Sequence, residues 1–83
     1  VEVNVVKELL ETLAQAIVDK PDEVQVGVVE GERSQILQLH VAPDDIGKVI
    51  GKKGRIATAL RTIVKAAATK EGKNVIVEII DRV

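Results

Sequence analysis

The 83-residue chain contains no phenylalanine, tyrosine, tryptophan, methionine or cysteine, so any core must be built from valine, isoleucine, leucine and alanine. A chain this short buries only a modest interior. It therefore needs a few regular elements with cleanly separated apolar and polar faces. An apolar content of 46% supports a folded chain and argues against disorder.

The apolar periodicity supplies such elements in a definite order. Val6, Leu9, Leu10, Leu13 and Ile17 recur at helical spacing, Asn4 is positioned as an N-cap, and Pro21 is a stop. Val24, Val26 and Val28 then alternate with Gln25 and Gly27, and Glu30-Gly31-Glu32-Arg33 has the chemistry of a turn. A return strand is expected over Gln35–Val41, with Leu37, Leu39 and Val41 on one face and Ile36, Gln38 and His40 on the other. Ala42-Pro43 ends it, and Asp44 or Asp45 is placed to cap a short helix running to about Ile50. A longer helix is expected from Arg55 to about Thr69, buried through Ile56, Leu60, Ile63, Val64 and Ala67, with Gly72 as its breaker. Val75–Ile80 reads as a last strand, Val75, Val77 and Ile79 facing opposite to Ile76 and Ile80. The order α-β-β-α-α-β is solved most economically by helices packed over one face of a sheet. One domain over 1–83 is expected, with its core at about 34–80 and an N-terminal helix and strand within 4–29.

Charge is segregated along this frame. Up to Pro43 there are eight acidic residues against three basic ones, a balance of −5, whereas Asp44–Lys73 carries eight basic against three acidic, a balance of +5. A chain of net charge −1 can thus present one strongly positive face, as a polyanion binder does. The missing aromatics exclude readers that stack bases on rings. The missing cysteines exclude disulfides and zinc ribbons and suit a reducing interior. No apolar run approaches the length of a membrane span, and the acidic start lacks the basic region of a signal peptide. A cytoplasmic protein without a membrane partner is the simplest expectation, with a few residues missing before Val1.

Three of the six glycines fall within Ile46-Gly47-Lys48-Val49-Ile50-Gly51-Lys52-Lys53-Gly54-Arg55-Ile56. Gly51 and Gly54 bracket two lysines between two helices. Without a Cβ the backbone can approach a sugar–phosphate chain, and the helix opening near Arg55 aims unpaired N–H groups at the same place. Lys52 and Lys53 add charge at the tip, flanked by Lys48 and Arg55. The alternative is a plain corner, with glycines for the turn and solvated lysines.

Val49–Ile56 resembles the KH-domain signature V-I-G-x-x-G-x-x-I, with Ile56 read as its closing isoleucine. From the Leu9-Leu10 helix through Val41-Ala42-Pro43 and Lys65-Ala66-Ala67-Ala68 to Val77-Glu78-Ile79, the chain is similar to the small bacterial stand-alone KH proteins of the KhpA (YlqC) family. The resemblance implies an α+β fold of the type II, prokaryotic KH kind, its helices on one face of a three-stranded mixed sheet. It implies a single-stranded RNA binder, an RNA chaperone or post-transcriptional regulator, holding about four nucleotides. Gly51 to Gly54 would clamp the backbone, while Ile46, Gly47, Val49, Ile50 and Ile56 would supply or support an aliphatic floor. Lys70 and Lys73 would stand at the variable-loop edge. It further implies a homodimer and a heterodimer with a larger KH-domain protein.

No enzyme, cofactor or metal is expected. His40 stands alone, the carboxylates lie where solvated faces are the default, and the glycine spacing fits neither the Walker A nor the dinucleotide pattern. Two rival binders remain. A duplex-gripping helix-hairpin-helix usually has its glycines two apart and no sheet, and an interaction module would use Ile36, Ile76 and Ile80.

Overall fold

The computed structural model describes residues 4–80. The ends of the expected 1–83 unit, positions 1–3 and 81–83, lie outside the described residues. Three helices, α1 (Val5–Ile17), α2 (Ile46–Ile50) and α3 (Arg55–Lys70), accompany three strands, β1 (Gln25–Glu30), β2 (Gln35–His40) and β3 (Val75–Ile80). Their chain order is the α-β-β-α-α-β read from periodicity. The sheet order is β1-β2-β3; β1 pairs antiparallel with β2, and β2 pairs parallel with β3, so the sheet is mixed.

Each element starts and stops for a local reason. The Asn4 side chain accepts the Lys7 N–H at 3.0 Å and so caps α1. The helix ends at Ile17, where Val18 turns extended, and Pro21 opens a short 3-10 turn over Pro21–Glu23. At the end of α3 the Lys73 N–H reaches the Ala68 carbonyl and the Gly72 N–H reaches Thr69, a Schellman ending.

The core lies between the helix layer and the sheet. Leu10, Leu37 and Leu39 are fully withdrawn from water, with Val6, Ala14, Val49 and Val64 around them. Each such leucine stabilises the fold by about 2 kcal/mol. On the opposite, outer face of the sheet, Val29, Ile36 and Ile76 form one row across all three strands. Half of the Ile76 surface and 44% of Val29 stay exposed there.

Three expectations need correction. The buried face of α1 runs through Val6, Leu10 and Ala14, while Leu9, Leu13 and Ile17 are half-buried at its margins. The buried seam of α3 is Ala57, Leu60, Val64 and Ala68; Ile56 and Ala67 are half-buried, and Ile63 is exposed. The small alanines at both ends of this seam leave room for the helix to lie close, and that requirement outranks the larger apolar volume of Ile63. Finally, neither Asp44 nor Asp45 caps α2 by a side-chain bond. Pro43–Asp45 forms a 3-10 turn, and the Asp45 carboxylate, 1% exposed, accepts the backbone N–H of Lys20 at 3.0 Å and of Asp19 at 3.3 Å.

Asp45→Ala leaves two partly buried N–H groups without this acceptor and is expected to cost about 2 kcal/mol in urea unfolding. Asp45→Asn, which keeps an acceptor oxygen, should recover part of the loss.

Candidate nucleic-acid interface

The junction between α2 and α3 is a tight turn made of glycine geometry. The Gly51 N–H still bonds the Gly47 carbonyl at 2.9 Å as the last link of α2, and the Gly54 N–H returns to the Gly51 carbonyl at 3.1 Å. Between them the backbone takes positive φ at Gly51 (+74°), Lys53 (+57°) and Gly54 (+73°). The two glycines carry different constraints. A Cβ on Gly51 would collide with the side chain and backbone N of Ile56, whereas one on Gly54 would meet nothing within 4 Å. Gly51 thus serves packing as well as conformation, and Gly54 serves conformation alone.

Counted from Gly54, the closing isoleucine of the V-I-G-x-x-G-x-x-I signature falls on position 57. That residue is Ala57, buried in the α3 seam. Ile56 stands one place earlier and seats against Gly51, so the chain departs from the signature at this position.

The turn is polar outside and apolar behind. Lys52, Lys53 and Arg55 are exposed. The α3 N-terminus has no side-chain cap, so its dipole and first N–H groups open onto the turn. Behind it Val49 is wholly buried in the core, while Ile46, Ile50 and Ile56 are half-buried and leave an aliphatic shelf. Gly47 is exposed on α2 with open space beside it.

The remaining cations go elsewhere. Lys48 Nζ lies 3.1 Å from Asp19 and 3.8 Å from Asp45. The hydrogen bond and charge of Asp19 hold its pKa above the ordinary lysine value. The stability this contributes is complete below the unfolded lysine pKa and fades as rising pH passes the raised folded one. Lys48 therefore fastens α2 to the end of α1. Lys70 closes α3, about 22 Å along its axis from Arg55, and Lys73 lies just past it. There Lys73 lines a polar recess of about 370 Å³ beside Glu30 and Glu32 of the hairpin turn. The structure does not bring these two lysines to the loop.

Two contributors escape sequence reading. Asp45 acts on backbone groups some 25 residues upstream, and no local pattern announces that. Arg61 Nε donates to the Val77 carbonyl at 3.4 Å, joining α3 to β3; only its place in the basic segment gave a signal.

A family model described as KhpA/KhpB, KH domain, matches residues 7–79. The chain is similar to a protein named RNA-binding protein KhpA from Clostridium acetobutylicum, 68% identical over 89% of this chain and 99% of the relative. Proteins of the same name from Aquifex aeolicus and Mycobacterium bovis are 46% and 44% identical, covering 94% and 93% of this chain and 99% and 92% of their own lengths. No solved structure matches the chain.

Gly51→Ala is expected to destabilise the fold by about 3 kcal/mol, from forced positive φ together with overlap on Ile56. Gly54→Ala should cost about 1 kcal/mol, from conformation alone. Chemical denaturation of both variants checks the order.

Proposed function

The chain belongs to the KhpA/KhpB KH-domain family, and on that premise we propose that it binds single-stranded RNA through the Gly51–Gly54 turn. The observation that carries this reading is the exposed Lys52-Lys53 pair held on a turn whose next residue opens an uncapped helix. Phosphate oxygens approach over Gly51 and Gly54, meet the α3 N-terminus, and are neutralised by Lys52, Lys53 and Arg55. Bases from a segment of about four nucleotides rest on Ile46, Ile50 and Ile56, with Gly47 leaving space at the edge. Lys48 and Val49 support the site from behind. Lys70 and Lys73 contact only a strand long enough to travel the length of α3.

This mode of binding has measurable consequences. No Phe, Tyr or Trp is available for stacking, so affinity is modest. Three loop cations give a shallow salt dependence, with log K falling by about 2 per tenfold rise in salt. A weak clamp on the RNA backbone suits a cytoplasmic RNA chaperone or post-transcriptional regulator. The reading contains no catalytic step. No described helix is long and apolar enough to cross a membrane.

The test is a titration of labelled single-stranded RNA, single-stranded DNA and duplex DNA, with circular dichroism as the folding control. Lys52→Asp/Lys53→Asp should weaken RNA binding at least tenfold while staying folded. Equal binding by wild type and the loop variant sinks the assignment, and a preference for duplex favours a helix-hairpin-helix mode.

The row Val29, Ile36 and Ile76 favours a second reading beside the first. These side chains form an apolar strip on the outer sheet face, suited to pairing with another KH chain, a second copy or a larger KH-domain protein. Analytical ultracentrifugation should find dimer at high micromolar concentration and monomer for Ile76→Asp. Wild type that is only monomer counts against the homodimer.

A further inference from the structure

Building on the RNA-binding reading, we infer that Arg61 selects the base lying beside the loop, favouring one that presents two adjacent hydrogen-bond acceptors. The starting observation is where Arg61 is tied. β3 is an edge strand, next to β2 alone. The Asn74 carbonyl at its entrance accepts the Gln35 N–H at 2.9 Å, so even-numbered positions direct their backbone groups to β2. By strand alternation Val75, Val77 and Ile79 direct theirs to the open edge. The open carbonyl of Val77 is the one that Arg61 Nε reaches.

This bond orients the guanidinium. Of its five N–H donors, Nε uses one, and the four on Nη1 and Nη2 remain in a fixed plane. Arg61 is exposed on α3, about 9 Å along the axis from Arg55 and the phosphate cradle. A strand clamped at the loop and running along α3 therefore brings its next base to a planar donor fork. The other cations of the basic segment are placed differently: Arg55 also carries a guanidinium but sits at the phosphate turn itself, and Lys65 has no fork. Lys52 and Lys53 are loop-tip charges without a fork, Lys48 is held by Asp19, and Lys70 and Lys73 lie at the far end.

Base chemistry then decides the preference. Guanine presents O6 beside N7, and cytosine presents O2 beside N3, each a pair of neighbouring acceptors for two parallel N–H groups. Adenine places an amino donor beside N7, and uracil places N3–H between its carbonyls. Both set a donor against the fork. Phosphate contacts hold any strand, and Arg61 adds the discrimination that they lack.

The experiment uses four octamer RNAs, oligouridine with a central U, C, G or A, in fluorescence anisotropy. Wild type should bind the C or the G octamer about tenfold more tightly than the U and A octamers, and whichever wins identifies the edge that is read. Arg61→Lys retains the charge, so it should bind all four at the wild-type level for U. Its urea midpoint serves as the folding control. As a readout independent of the variant, the Arg61 Nε–H NMR signal of wild type should shift with the preferred RNA and not with the A octamer. Equal wild-type affinity for all four RNAs, a preference that survives in Arg61→Lys, or an unmoved Arg61 signal overturns the inference while leaving RNA binding intact. Failure of wild type to bind any of them overturns the RNA reading itself, and this inference with it.

Discussion

A buried carboxylate organises the working end of this molecule. Asp45 is almost completely removed from water, and a charge in that position needs strong partners. It has them in the backbone N–H groups of Asp19 and Lys20, with Lys48 at the margin. Through these contacts the segment leaving α1 is held against the start of α2. That contact sets where α2 begins, and the turn that follows inherits its position. Lys48 reinforces the clasp from the other side by pairing with Asp19. Asp19, in the −5 segment, thus helps tie that segment to the +5 segment, through its N–H to Asp45 and its carboxylate to Lys48.

The turn itself divides its work between two glycines of the same sign of φ. Ile56 packs into the space that Gly51 leaves, which locks the first turn of α3 onto the last of α2. Gly54 has open space where a Cβ would stand and sets the direction in which the chain re-enters helix. The lysines between them have no anchoring role. They can be as mobile as an irregular polyanion requires, while the frame beneath stays rigid.

Much of this was legible in the sequence. Element order followed from the change of apolar period between 3.6 and 2, and the Lys-Lys turn followed from glycine spacing and local charge. What stayed hidden depends on tertiary geometry. Periodicity finds that α3 has a buried side, but whether Ile63 or Ala57 and Ala68 occupy it depends on how closely the helix approaches its neighbours. Asp45 resembles an N-cap because the residues around it are those of an N-cap; only the folded chain brings Lys20 within reach. Lys70 and Lys73 are near the loop in composition and far from it in space, because α3 is a rigid spacer. The departure at the signature's last position, Ala57 three residues after Gly54, is by contrast a property of the sequence itself.

The parallel pairing of β2 with β3 has a consequence for how the chain is made. β1 and β2 meet through a short hairpin, whereas β2 gains its other neighbour only after everything from Val41 to Asn74 has been laid down. That stretch contains the whole phosphate-binding turn. On a ribosome, the loop is synthesised well before the strand that completes the sheet, and it must wait for β3 to emerge. The glycines at 51 and 54 therefore sit inside the longest connection between paired strands of the sheet, whose ends must meet before β3 can dock.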